Sequence, residues 1–151
     1  MSPSNNVWYF AFGSNLNVDQ MRDRVGEWHL SKRALVRNYK LVFNVYSKKW
    51  LGNAANLQAT DRFEEVVYGV VYQITQEQLA KLQAFERVPP TEIRVELEDG
   101  NEISHAKAFI WETTSPGREP TPAYRKRMEV GLTDHGYDKT QVDRILGKPV
   151  K

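Results

Sequence analysis

The sequence contains no cysteine, which excludes disulfide bridges, a thiolate nucleophile and cysteine-ligated metals, and which fits a reducing compartment. A strong charge of either sign is also missing. Lys and Arg number 21 against 19 Asp and Glu, a formal net charge of +2, too little to expect a nucleic-acid partner. No apolar run approaches the about 18 residues that a membrane span needs, and the opening residues Met1 to Asn6 carry no basic leader ahead of an apolar segment. The expectation is therefore no membrane partner and a cytoplasmic location. Internal repeats and low-complexity tracts are absent as well, which sets aside solenoids and disordered linkers.

What is present is an ordinary globular composition: 151 residues, 40% hydrophobic and 26% charged. A chain of that size hides roughly 68–70% of its unfolded surface, enough for one domain with a real core. The expected organisation is a single domain over 1–151, with 1–6 and 147–151 as flexible tails.

Val7 to Phe12 is a continuous apolar and aromatic run ended by Gly13, the pattern of a central strand buried on both faces. Asn17 is placed to cap a helix from Val18 to about Val25, with Gln20 returning the capping-box bond. Ala34 to Tyr46 is a second apolar-rich stretch whose later part alternates, Lys48 to Asn53 reads as loop, and Ala54 to Thr60 as a weaker strand. Val66 to Ile74 is a strong strand, rich in β-branched and aromatic residues, in which Gly69 marks a bulge or a close backbone approach. Thr75 and Gln78 repeat the capping box for a helix carrying Leu79, Leu82 and Phe85 that must stop before Pro89-Pro90. Asp99-Gly100 turns Ile93 to Leu97 back on Ala106 to Trp111 as a hairpin. Thr113 to Pro120 is a loop, Thr121-Pro122 opens a helix closed by Gly136, and a last short helix begins at Asp138. Strands that mostly follow one another, with helices at the end and in two crossovers, argue an α+β fold around a curved or closed sheet.

Two places could carry chemistry. At 100° per residue Glu86 falls between Leu79 and Leu82 on its helix, so its carboxylate points inward. Burial and the negative end of the helix dipole both raise a carboxyl pKa, which suits a group that takes and gives a proton near neutral pH. The alternative is a structural Glu paired with a core Arg or with backbone amides. Phe12-Gly13-Ser14-Asn15-Leu16 joins the first strand to the first helix, where free backbone N–H groups can hold a carboxylate or an oxyanion. It is neither a P-loop nor a G-x-S-x-G elbow, and it could equally be a tight turn whose Ser14 and Asn15 cap orphan amides. His29, His105 and His135 lie far apart without metal-ligand spacing and read as surface or capping residues, so no metal is expected. Tyr124-Arg125-Lys126-Arg127 reads as the solvated side of a helix whose other side holds Tyr124 and Met128.

Together these residues resemble a known family, the γ-glutamyl cyclotransferases and their relatives, which include plant avirulence-induced proteins and a butirosin-biosynthesis enzyme. Tyr9 to Leu16 is similar to the family's Y-x-A-Y-G-S-N-L opening, with Phe12 where Tyr is usual. Glu65 to Tyr72 resembles its central strand, Leu82-Gln83-Ala84-Phe85-Glu86 its L-D-x-x-E-G segment, and Pro122-Ala123-Tyr124 with Gly131-Leu132 to Gly136-Tyr137 its C-terminal helix pair. The resemblance implies a small mixed β-barrel with peripheral helices, Glu86 as the catalytic acid/base, and substrate-binding roles for Phe12, Gly13, Ser14, Asn15, Leu16 and Tyr124. It further implies cofactor-independent cyclisation of a small-molecule γ-glutamyl substrate to 5-oxoproline, by a monomer or homodimer. A non-catalytic module using the same pocket for a carboxylate metabolite or a partner peptide is the alternative. Arg87 stands where the family has Gly, which implies a more cationic rim and a different leaving group.

Overall fold

The computed structural model describes residues 6–112 and 114–147. Seven strands and four α-helices follow in the order β1 (Asn6–Ala11), α1 (Val18–Val25), β2 (Leu30–Arg37), β3 (Tyr39–Ser47), β4 (Gly52–Ala59), β5 (Val66–Thr75), α2 (Gln76–Glu86), β6 (Thr91–Leu97), β7 (Glu102–Ala108), α3 (Pro122–Asp134) and α4 (Lys139–Leu146). A 3-10 turn, Ser14–Leu16, links β1 to α1. Among the described residues no helix is long and apolar enough to cross a membrane.

Five strands close into a barrel in the order β1-β5-β2-β6-β7, and β3 and β4 form a separate two-stranded sheet. The barrel is antiparallel except at its seam, where β1 runs parallel to β7 with Tyr9 opposite Lys107. Closure removes the open edges that would invite aggregation. β1 alternates between two cores. Phe10 and Phe12 join Val36, Val71, Val95 and Ala106 in a cluster built without helical residues, the barrel interior. Tyr9 and Ala11 face Leu16, Met21, Leu82, Met128 and Leu132, the layer between barrel and helices. The expected double-sided burial of this strand is thus realised.

Gly69 in β5 is the close approach rather than the bulge: a Cβ there would lie 2.3 Å from the Ala11 carbonyl oxygen. The apolar-rich stretch 34–46 divides into β2 and β3 at Asn38, which takes a left-handed turn (φ 67°) that a short polar side chain tolerates. Several expectations are corrected. β4 begins at Gly52, inside the expected loop, and β7 ends at Ala108 rather than Trp111. Phe85 lies outside the core, 52% exposed. Asn6 belongs to β1, not to a tail; the expected tails otherwise fall on 1–5 and 148–151, outside the described residues, apart from Gly147, which caps α4.

Candidate active site

The 3-10 turn, the C-terminal end of α2, the N-terminal turn of α3 and the β3–β4 hairpin converge on a cavity of about 540 Å³, within the range of small-molecule sites. Each wall follows from local sequence. Thr75 and Gln78 form a complete capping box that starts α2, and the register from there puts Leu79 and Leu82 in the core and Glu86 on the cavity. Thr121 caps α3 by accepting the Tyr124 amide, with Pro122 at its first turn, which sets Tyr124 in the floor.

The Glu86 side chain is 28% exposed. Burial is the largest influence on it and raises its pKa; Arg24 and the Asn15 hydrogen bond pull the other way. The Arg24 guanidinium lies 3.9 Å from Glu86 Oε1, and Asn15 Nδ2 donates to that oxygen at 3.0 Å. Asn15 is itself clamped: Nδ2 also donates to the Tyr9 hydroxyl, while Oδ1 accepts from Gln20 Nε2 and Arg24 Nη1. Tyr72 supports the turn from below, its hydroxyl donating to the Asn15 carbonyl and meeting His135 Nε2 at 2.9 Å. Glu86 therefore combines the two roles left open by the helical wheel, an inward carboxylate with an Arg partner and access to a cavity.

Tyr124 is 3% exposed, and its hydroxyl oxygen accepts the Ser14 amide at 3.2 Å and the Ala55 amide at 3.0 Å. Burial pushes its pKa up to about 12 despite those two donors. Both amides thus converge on one oxygen in the lining of the cavity. Gly13 is needed for this arrangement, since a Cβ there would stand 2.7 Å from the Tyr124 hydroxyl.

Of the residues expected from sequence, Phe12, Gly13, Ser14, Glu86 and Tyr124 line the cavity. Asn15 and Leu16 do not. Asn15 lies behind Glu86 as its hydrogen-bond partner, and Leu16 is fully buried in the helix layer. The amides of the turn are also less free than expected: Leu16 N–H donates to the Gly13 carbonyl and Ser14 N–H to Tyr124. Gln20 departs from its expected capping role, its side chain reaching Ser14 Oγ at 2.7 Å and Asn15. Sequence reading missed Arg24, Lys49, Trp50 and Trp111, which also line the cavity. An arginine in an amphipathic helix and a Lys-Lys-Trp loop carry no motif of their own, and only their convergence makes them part of a site.

A family model for γ-glutamyl cyclotransferase, AIG2-like proteins matches residues 9–130. The chain belongs to this family. No curated protein matches the sequence at a significant level. Among solved structures, an uncharacterized protein from Homo sapiens superposes with a TM-score of 0.86 at 22% identity, covering 97% of this chain and 90% of that one. A structure described as a γ-glutamyl cyclotransferase gives the same TM-score and identity over 97% and 89%. A yeast γ-glutamyl cyclotransferase specific to glutathione aligns at 0.65 and 14% identity over 94% of each chain. These likenesses establish the γ-glutamyl cyclotransferase-like fold. Within the family match, Arg87 occupies the left-handed C-cap of α2 (φ 64°, ψ 18°), a conformation that favours glycine.

Proposed function

We propose that this protein is a γ-glutamyl cyclotransferase, converting a γ-glutamyl conjugate to 5-oxoproline with release of an amino acid or amine. The observation that carries this reading is the Glu86 carboxylate, held by Asn15 on the wall of the cavity and shifted by burial toward neutral pH. The substrate brings its own nucleophile. Its α-ammonium loses a proton to Glu86 and the free amine attacks the γ-carbonyl carbon; the new C–N bond closes the five-membered ring. The bond to the leaving nitrogen breaks as Glu86 returns the proton to it, so no water is consumed. In this reading the Tyr124 hydroxyl donates to a substrate oxygen beside the Gly13–Ser14 backbone, a role supported by the presence of all three residues in the cavity lining.

A binding module for anionic ligands gains nothing from a partly desolvated carboxylate beside the ligand, whereas cyclisation needs a proton acceptor there. The test is 5-oxoproline release from a panel of γ-glutamyl amino acids and γ-glutamylamines by the parent and by Glu86→Gln. The expected result is release by the parent and a loss of at least about a hundredfold in the variant, with the fold retained. Equal turnover by the two would refute the role of Glu86, and binding without release by the parent would leave the module reading.

A further inference from the structure

The cavity is charged in one sense. Arg24, Lys48, Lys49 and Arg87 line it, and Glu86 is the one acidic residue among the described lining residues. Arg24 is engaged by Glu86 and Asn15. Lys48, Lys49 and Arg87 have no carboxylate within ion-pair distance among the described residues, so three cations on one cavity lining are open to an anionic ligand.

The cations are also concentrated by the fold. Trp50, on the cavity wall, has Lys49 Nζ 5.3 Å and the Arg127 guanidinium 5.1 Å from its ring centroid. Burial lowers the Lys49 pKa, with repulsion from Arg24 and Arg127 adding to it. An anion placed there relieves that repulsion. Arg87, also in the lining, holds a left-handed backbone (φ 64°) that a side-chain-bearing residue adopts less readily than glycine.

Resting on the cyclisation reading above, we propose that the leaving group is acidic: an amino acid with a second carboxylate, such as glutamate, joined through its α-nitrogen to the γ-glutamyl group. The α-carboxylate of the γ-glutamyl moiety uses one of the three unpaired cations, and the other two remain for the carboxylates of the leaving group. In the reaction the γ-glutamyl α-nitrogen bonds to the carbonyl carbon of its own γ-carboxyl group, the amide C–N bond to the acidic amino acid breaks, and the proton carried by Glu86 passes to the departing nitrogen. The products are 5-oxoproline and the free dicarboxylic amino acid.

The test compares 5-oxoproline release from γ-glutamyl-glutamate, γ-glutamyl-alanine and γ-glutamyl-butylamine by the parent, Lys49→Gln and Arg87→Gly. At low ionic strength kcat/KM for the glutamate conjugate is expected to exceed that for alanine by at least about tenfold, and the preference shrinks as salt screens the charges. The ratio falls by at least about threefold in each variant, while Arg87→Gly, freed of backbone strain, melts no lower than the parent. A ratio at or below one, with release from the alanine or butylamine conjugate, overturns the inference and leaves cyclisation standing. If none of the three yields 5-oxoproline, the cyclisation reading falls for this panel, and calorimetric titration of the same conjugates into the parent decides the charge preference separately. Tighter binding of the glutamate conjugate supports the anionic subsite; equal or no binding overturns it.

Discussion

Replacing Tyr124 by Phe removes one oxygen that three separate elements share. That hydroxyl sits on α3 and accepts the Ser14 amide of the 3-10 turn and the Ala55 amide of β4. The ring is held edge-on by Trp50, 5.3 Å away, and Phe43, 6.4 Å away, so it stays in place and the two amides lose their acceptor. Both amides are half-buried on the cavity lining, so at about 0.5–1.5 kcal/mol for each hydrogen bond lost the cost is about 1–3 kcal/mol. For a chain of this size that lowers Tm by roughly 3–10 °C. Gly13→Ala attacks the same contact from the other side, because its Cβ would stand 2.7 Å from the hydroxyl and 3.3 Å from the Ala55 Cβ. In the Tyr124→Phe background the oxygen is gone, so Gly13→Ala costs less there. Urea unfolding of the parent, both single variants and the double variant is expected to give a coupling of about 1 kcal/mol. A Tm for Tyr124→Phe within about 2 °C of the parent, or strict additivity in the cycle, refutes the view that one hydroxyl ties the turn to the β3–β4 sheet.

Arg24→Gln removes the cation that holds the Glu86 pKa down against burial. If Glu86 acts ionised, the acid limb of the kcat/KM profile moves to higher pH; a limb that moves lower contradicts the assignment. Because burial raises the folded pKa of Glu86, its ionisation costs stability at pH above that value and costs nothing once it is protonated. Glu86→Gln is therefore expected to melt at or above the parent at pH 8, with the gap closing as the pH falls, as measured by paired thermal melts; a parent more stable at pH 8 would count against it. Gly131→Ala on α3 would set a Cβ 2.3 Å from the Leu16 carbonyl, a clash with backbone that no side chain can relieve. It should cost about 3 kcal/mol in urea unfolding, with a loss within 0.5 kcal/mol as the contrary result.

Elements whose instructions lie within a few residues were legible before any fold was known. Both faces of β1 are apolar, and β1 is buried on both. Thr75 and Gln78 spell a capping box, and both of its bonds form. From that start, helical periodicity alone carried Glu86 to the cavity. The Asn17–Gln20 pair spelled the same box and formed half of it: Asn17 caps α1 by accepting the Gln20 backbone amide, but the Gln20 side chain, which should return the bond, found Ser14 and Asn15 as partners at the neighbouring turn. Local pattern cannot see that competition.

The sequence by itself determined the strand and helix order, the caps, the turn after β1 and the inward Glu86, since each depends on spacing over one or two helical turns or on strand alternation. The tertiary structure decided the parallel seam between β1 and β7, roughly a hundred residues apart along the chain, and with it the closure of the barrel. It alone placed Arg24 on Glu86, gave the Tyr124 hydroxyl two amides to accept, and gathered Lys49, Trp50 and Arg87 at one mouth. Charge and hydrogen bonding act through distance in space, and distance between remote segments is set only when the barrel has closed and the helices have packed.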